Sequence, residues 1–154
     1  MNDIALQWSD SQHSADLAIE LNDLVQDGGL ETAVMLSLFT DRRSDDGDEL
    51  PPGDTDRRGW WADAEPVVEG DRIGSRLSLL DREIATQSVV DRAVTYAREA
   101  LQWLLDDKVA SSLDVSAEIP RRGMIGLVVT IYRPQKDPVK YRFDNVWKAQ
   151  EAKI

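Results

Sequence analysis

The sequence predicts an α+β fold in which helices pack on a small antiparallel sheet that ends in a C-terminal three-stranded meander. Two patterns carry the prediction. Near the C-terminus, Leu113-Val115-Ala117-Ile119, Leu127-Val129-Ile131 and Val139-Tyr141-Phe143 alternate with other residues, the period of strands with one covered face. Pro120-Arg121-Arg122-Gly123 and Arg133-Pro134-Gln135-Lys136-Asp137-Pro138 punctuate these runs as turns. Just upstream, Val90, Ala93, Ala97, Ala100, Leu101 and Leu104 recur at helical spacing and offer the sheet an apolar cover. At 154 residues the chain has single-domain length and can bury one modest core.

In chain order, Asp3-Ile4-Ala5-Leu6-Gln7-Trp8 alternates polar and apolar side chains and suits a short strand or a docked arm. Leu17, Leu21, Leu24 and Val25 predict a helix over 14–26, ended by Asp27-Gly28-Gly29 because paired glycines accept a left-handed stop. Residues 1–29 therefore read as an N-terminal arm and helix, and residues 30–154 as one α+β domain. Leu30 to Phe39 is mostly apolar, which fits either a buried strand or a helix. Residues 40–72 form a long loop with seven Gly or Pro, eleven acids and five arginines. Loops of that length in compact domains are uncommon and are usually functional or partly disordered. Ile73, Leu77, Leu80 and Ile84 predict a helix over 71–84. Ser88 with Asp91 makes a capping-box-like start to the long helix, which runs to about Leu105 with Trp103 at the edge of its stripe.

The net charge of −11 conceals a gradient. Residues 121–154 hold eight basic residues against three acids, leaving −16 on residues 1–120. An acidic front and a basic end allow head-to-tail pairing, within one molecule or between neighbours. The overall acidity argues against gripping nucleic acid, and no apolar run is long enough to span a membrane. Met1-Asn2-Asp3-Ile4 shows no basic, apolar leader.

Catalytic and metal chemistry find little footing. With no cysteine there is neither a thiol nucleophile nor a thiolate metal site, and His13 is the single histidine. No phosphate-binding glycine loop is present. Asp45, Asp46, Asp48 and Glu49 are dense oxygen donors, but their order is not that of a calcium loop. Paired carboxylates for glycoside hydrolysis are inevitable among 29 acids. Glu31 and Glu83 are the least solvent-committed of them, and a salt bridge or helix-end charge accounts for both. No cofactor, metal or small-molecule substrate is expected.

The arginines of the loop are more informative. Thr-Asp-Arg-Arg occurs at Thr40–Arg43 and again at Thr55–Arg58, where it runs into Gly59-Trp60-Trp61. Adjacent tryptophans carry too much apolar area to leave in water, so this protein or another should cover them. Arg57 and Arg58 could stack on them, since arginine pairs with carboxylates and lies on aromatic faces. Asp41, Arg42, Arg43, Asp56, Arg57, Arg58, Trp60 and Trp61 are thus expected to anchor the loop or to meet a partner.

Four blocks, Asp27-Gly28-Gly29-Leu30-Glu31-Thr32-Ala33-Val34, Leu38-Phe39-Thr40-Asp41-Arg42-Arg43, Asp56-Arg57-Arg58-Gly59-Trp60-Trp61-Ala62-Asp63 and Ile73-Gly74-Ser75-Arg76-Leu77, resemble the signature of the Mu-type phage baseplate protein family (gene product 46). Ala100-Leu101-Gln102-Trp103-Leu104 fits as well, and the likeness runs from about Asp3 to Tyr132. The resemblance implies a structural, non-enzymatic wedge component of a contractile-tail baseplate, related to the small baseplate wedge proteins (gene product 25-like) and to their type VI secretion counterparts. It implies a baseplate-wedge-like α+β fold and residence in the virion tail, after synthesis and assembly in the bacterial cytoplasm. Other wedge proteins, and tail tube and sheath subunits, are the implied partners. A type VI secretion or tailocin subunit of the same fold, and a tail-borne peptidoglycan glycosidase, are the alternatives. Relatives of this kind join neighbours by adding strands to a sheet edge, so the C-terminal meander, with Arg133 and Tyr141, joins Arg76 among the expected interface or anchoring positions.

Overall fold

The structure, a computed structural model, describes residues 3–144 apart from 10, 13, 21, 22, 25, 28 and 67, and only the backbone of 3, 19, 20, 23, 24, 26 and 27. His13 therefore lies outside the described residues, as do Lys148 and Lys153 of the basic C-terminal stretch.

The expected helix over 14–26 is replaced by short antiparallel ladders. β1 (Asp3–Ile4) pairs with β6 (Gln26–Asp27), β2 (Leu6–Ser9) with β3 (Ser14–Leu17), and β4 (Ile19–Glu20) with β5 (Asp23–Leu24). The apolar spacing had suggested a buried stripe, yet Leu17 is 48% exposed. The alternating segment before it instead supplies strand partners, in the register Leu6↔Leu17 and Trp8↔Ala15. The arm is docked: Leu6 N–H donates to Thr32 Oγ1 (3.2 Å), Trp8 stacks on Phe39 (4.1 Å), and its Nε1 donates to the Asp144 carbonyl (3.3 Å).

Leu30–Phe39 resolves as a helix, α1, opened by Gly29 at φ 79°. Glu31 lies in its first turn, where a carboxylate meets the positive end of the helix dipole. Val34, Met35 and Leu38 are buried. The helix over 71–84 shortens to a single 3₁₀ turn, Leu77–Leu80. Left-handed Gly74 (φ 97°) and Arg82 (φ 66°) bracket it and prevent a longer regular helix.

α2 (Gln87–Ala100) begins with Thr86 in the capping position, and no side chain caps it. Ser88 thus falls inside the first turn rather than at the cap, and Asp91 accepts from Gln87 Nε2 (2.9 Å) instead. A turn at Leu101-Gln102 separates α2 from the short α3 (Trp103–Asp106). Val90, Ala93, Ala97, Ala100, Leu101 and Leu104 are all buried, as their spacing predicts, and Trp103 is half-buried.

β7 (Ser112–Arg121), β8 (Met124–Tyr132) and β9 (Val139–Phe143) form the antiparallel meander in the order β7-β8-β9. Its covered face buries Val115, Leu127, Val129, Ile131 and Phe143 beneath α2. The first turn is tighter than Pro120–Gly123: β7 continues to Arg121, opposite Met124, after an irregularity beyond Glu118. Pro120 sits on this outer strand, where a missing N–H costs no ladder bond. Arg142 on β9 reaches Glu118 on β7 (2.7 Å) and Asp144 (2.9 Å), so part of the basic excess on the sheet is neutralised locally.

Candidate interaction surface

The two Thr-Asp-Arg-Arg copies lie side by side. Ser44, just after the first, donates its N–H (3.0 Å) and its hydroxyl (3.3 Å) to the carbonyl of Arg57 in the second. Arg58 Nη1 crosses back to Asp41 Oδ2 (3.1 Å), while its Nη2 reaches Asp81 Oδ2 (3.3 Å) and lies 3.8 Å from Asp54. Arg58 holds a left-handed backbone (φ 52°), and its N–H is met by Asp56 Oδ1 (2.9 Å). Gly59 follows at φ 119°, and a Cβ there would lie 2.9 Å from Arg43 Cβ. The Arg-Gly step is therefore what lets the copies touch. Arg57 donates to the carbonyls of Asp45 and Asp46. Arg42 lies 3.6 Å from Glu99, while Arg43 is exposed and makes no ion pair among the described residues. Burial pushes the Asp81 carboxyl above its usual range, against the pull of the Arg58 guanidinium.

Arg76 is the second hub. It grips both oxygens of Asp48 (2.9 and 3.1 Å) and donates twice to Glu99 on α2 (2.9 and 3.1 Å). Its guanidinium also sits 4.7 Å over the Tyr96 ring. The residues before it explain the rest of that block. Gly74 allows Thr40 to approach so closely that a Cβ would fall 2.4 Å from the Thr40 oxygen. Buried Ser75 donates from its hydroxyl to the Leu38 carbonyl (2.5 Å) at the end of α1, and Leu77 enters the core. Sequence reasoning singled out Arg76 but missed Gly74, Ser75, Asp48, Glu99 and Asp81. The Gly-Ser pair ahead of Arg76 was the available signal for a close backbone approach.

The arginines do not stack on the tryptophans. Arg57 and Arg58 turn to their own acids and carbonyls, and Trp60 and Trp61 are left at 42% and 83% exposure. Trp61 opens a 3₁₀ turn, Trp61–Ala64, and the two rings stand 5.7 Å apart at 53°. Between that turn and α1 runs a cleft walled by Ala33, Leu36, Trp60, Ile73 and Trp103. Leu36 is itself 44% exposed. Asp63, Glu65, Asp71, Asp107 and Arg72 complete its lining. Trp103 is fixed there by Nε1 donation to Ser37 Oγ (3.0 Å), and Ser37 donates on to the Ala33 carbonyl (2.8 Å).

The meander offers a second face. Among the described residues β9 pairs only with β8, which makes it an edge strand of the described sheet. Tyr141 is half-buried against Phe143 (6.4 Å), and Arg133 donates to the Asp137 carbonyl (3.5 Å) in the preceding turn. These residues lie away from the Asp-Arg hubs in the sequence. Neither glutamate singled out for hydrolysis stands as an isolated acid: Glu83 accepts from Arg92, and Glu31 is engaged at the start of α1. No group of three or more His, Asp or Glu among the described residues is placed to hold a metal ion. No helix among them is long and apolar enough to cross a membrane.

Comparison with known proteins gives a consistent result. The family described as Phage protein GP46 matches residues 30–138. The chain is 42% identical over 143 residues to the baseplate protein gp46 of Escherichia phage Mu, covering 93% of this chain and 95% of that protein. It is 33% identical over 147 residues to the Mu-like prophage FluMu protein gp46 of Haemophilus influenzae, covering 96% and 98%.

Proposed function

The chain belongs to the phage protein GP46 family, and on that premise we propose that it is a structural subunit of the baseplate of a Mu-like contractile phage tail. The observation that carries this reading is the near full-length identity with a protein named for the Mu baseplate. Within the tail we place it as a wedge component, made in the bacterial cytoplasm and meeting other wedge proteins, tail tube and sheath. The phage and prophage names of both relatives favour that setting over a secretion system.

The geometry supports a subunit that binds rather than catalyses. Glu83 is ion-paired, which does not provide the apolar pocket a general acid needs. Two surfaces suit assembly. The outer edge of β9, near Tyr141 and Arg133, can accept a strand from a neighbour through main-chain bonds. The loop of Asp41, Arg42, Arg43, Asp56, Arg57 and Arg58, locked by Arg76, presents Trp60 and Trp61 to another partner. Residues 30–154 serve as the baseplate domain and 1–29 as its docked arm.

Co-expression with the adjacent large wedge protein of the same tail tests the reading. A stable complex is expected, as is the presence of the chain in purified tails. Tails that contain no copy of it overturn the proposal.

A further inference from the structure

The geometry points to one partner chemistry for the cleft between α1 and the Trp60-Trp61 turn: a segment of a neighbouring baseplate protein with an aliphatic or aromatic anchor flanked by Lys or Arg. This inference rests on the baseplate reading for where the partner comes from, but on the cleft alone for its chemistry.

The anchor follows from α1. A helix apolar on nearly all sides is normally covered all round, and Glu31 is the only charged residue in Leu30–Phe39. Val34, Met35 and Leu38 are buried in the core, whereas Leu36 remains exposed and lines the cleft with Trp60. Leu36 and Trp60 form one apolar strip with Ile73 and Trp103, and Trp61 adjoins it through its ring contact with Trp60. Strips of this kind, rimmed by polar groups, mark binding surfaces. The walls are already rigid. Trp103 is bonded to Ser37, and Asp63 Oδ1 accepts the Ile73 N–H (3.3 Å), so little ordering remains to be done on binding.

The charge of the partner follows from the rim. Asp63, Glu65, Asp71 and Asp107 face a single base, Arg72, which lies 3.9 Å from Asp45. Three other loop cations are committed elsewhere, Arg42 to Glu99, Arg57 to Asp45 and Asp46, and Arg58 to Asp41, Asp54 and Asp81, and the exposed Arg43 does not line the cleft. Among the described residues no cation lies over either indole face of the pair, and Arg76 stacks on Tyr96 instead. A partner Lys or Arg therefore finds carboxylates at the rim and open indole faces beside them. An acidic segment would meet like charge, and so would a nucleic-acid backbone.

The test uses isotope-labelled protein and two short synthetic peptides that share one Leu-Phe centre, flanked by Lys in one and by Glu in the other. The Lys peptide should shift the indole N–H signals of Trp60 and Trp61 and bind about tenfold more tightly. A Glu65→Lys/Asp71→Lys variant should reverse that preference while its Trp103 signal stays in place, showing the fold intact. Equal binding of both peptides, or shifts that spare Trp60 and Trp61, overturns the inference. In purified tails, carbodiimide should join carboxylates of residues 63–71 to a lysine of another tail protein. Tails that contain the chain but give no such link, with both tryptophans as reactive as in free protein, overturn the inference and leave the baseplate reading standing. Tails without the chain overturn the baseplate reading, and the peptide titration still decides the chemistry of the cleft.

Discussion

The α2–meander layer and the segment from Thr40 to Arg76 are fixed by different physics. In the layer, Leu101, Leu104, Ile125, Leu127, Val129 and Ile131 are fully buried, and each such side chain contributes about 1.5–3 kcal/mol through area removed from water. The loop segment buries few large apolar side chains. It is held by Arg58, Arg76 and their acids, by backbone bonds between the two Thr-Asp-Arg-Arg copies, and by the approach of Thr40 to Gly74. Partly exposed ion pairs such as those of Arg58 are worth at most about 1 kcal/mol each, so the loop depends on many contacts acting together. Because directional bonds rather than apolar area hold it in place, its tryptophans are not consumed by folding. They stay at the surface, where an assembling subunit needs them.

If that contrast is right, the two regions respond differently to salt. Leu101→Ala should cost about 3–4 kcal/mol from lost burial and a residual cavity, with a urea midpoint shift that hardly changes between low and high salt. Arg76→Ala should cost about 2 kcal/mol, since it strips charge-assisted bonds from Asp48 and Glu99 at a side chain only 15% exposed. Its cost should shrink as salt rises. Arg76→Lys should restore less than half of it, because an ammonium cannot grip two carboxylates while lying flat over Tyr96. Equal salt responses at Leu101 and Arg76 would erase the distinction between the regions.

The same contrast explains which parts of the fold could be read from the sequence. The meander and α2 were legible because area-driven elements print their period on the chain, as at Val115, Leu127 and Val129 or at Ala93 and Ala97. Of the three ladders between Asp3 and Asp27, only the alternation of Asp3 to Trp8 was legible, as a short strand or docked arm, and its partners were not. The partner strands over 14–27 are two to four residues long, too short to show a period, and Leu17 and Leu24 imitated a helical stripe. Leu77–Leu80 was mistaken for part of a longer helix because the left-handed breaks at Gly74 and Arg82 leave no trace in apolar spacing. At the surface, Arg58 and Arg76 could be singled out as charges worth partners. Which acids they chose could not, since Asp81 and Glu99 arrive from distant positions through the fold. The stacking expected of Arg57 and Arg58 gives way to other partners: Arg58 pairs with carboxylates, and Arg57 donates to the carbonyls of Asp45 and Asp46.

A smaller effect probes the balance within the Arg58 cluster. Burial raises the Asp81 carboxyl despite Arg58. Its favourable contribution is therefore complete below the ordinary value of 3.8 and is lost as pH rises through the higher folded value. Asp81→Asn removes that loss, so the stability of the variant relative to the parent should improve from below pH 3.8 to neutrality. With the Asp81 side chain 35% exposed, solvent screening limits the change to about 0.5 kcal/mol. Urea midpoints of both proteins across that range check it, and a relative loss of stability with rising pH would show that the Arg58 pairing outweighs the burial.

Trp61→Ala should have the smallest effect on stability and is the sharpest test of the comparison. A side chain 83% exposed contributes little to a fold, so the change should stay within about 0.5 kcal/mol, while incorporation into tails falls well below that of any single acid substitution in 41–54. Trp60→Ala, removing a ring at 42% exposure, should weaken incorporation too, at a larger cost in stability. Stability and assembly would then separate within one loop: Arg76 and Arg58 hold the turn in place, and Trp61 is held out by it. A Trp61→Ala protein that unfolds more easily, yet assembles normally, would mean that the indole pair belongs to the fold and that the partner-facing surface lies elsewhere, with the β9 edge as the next place to look.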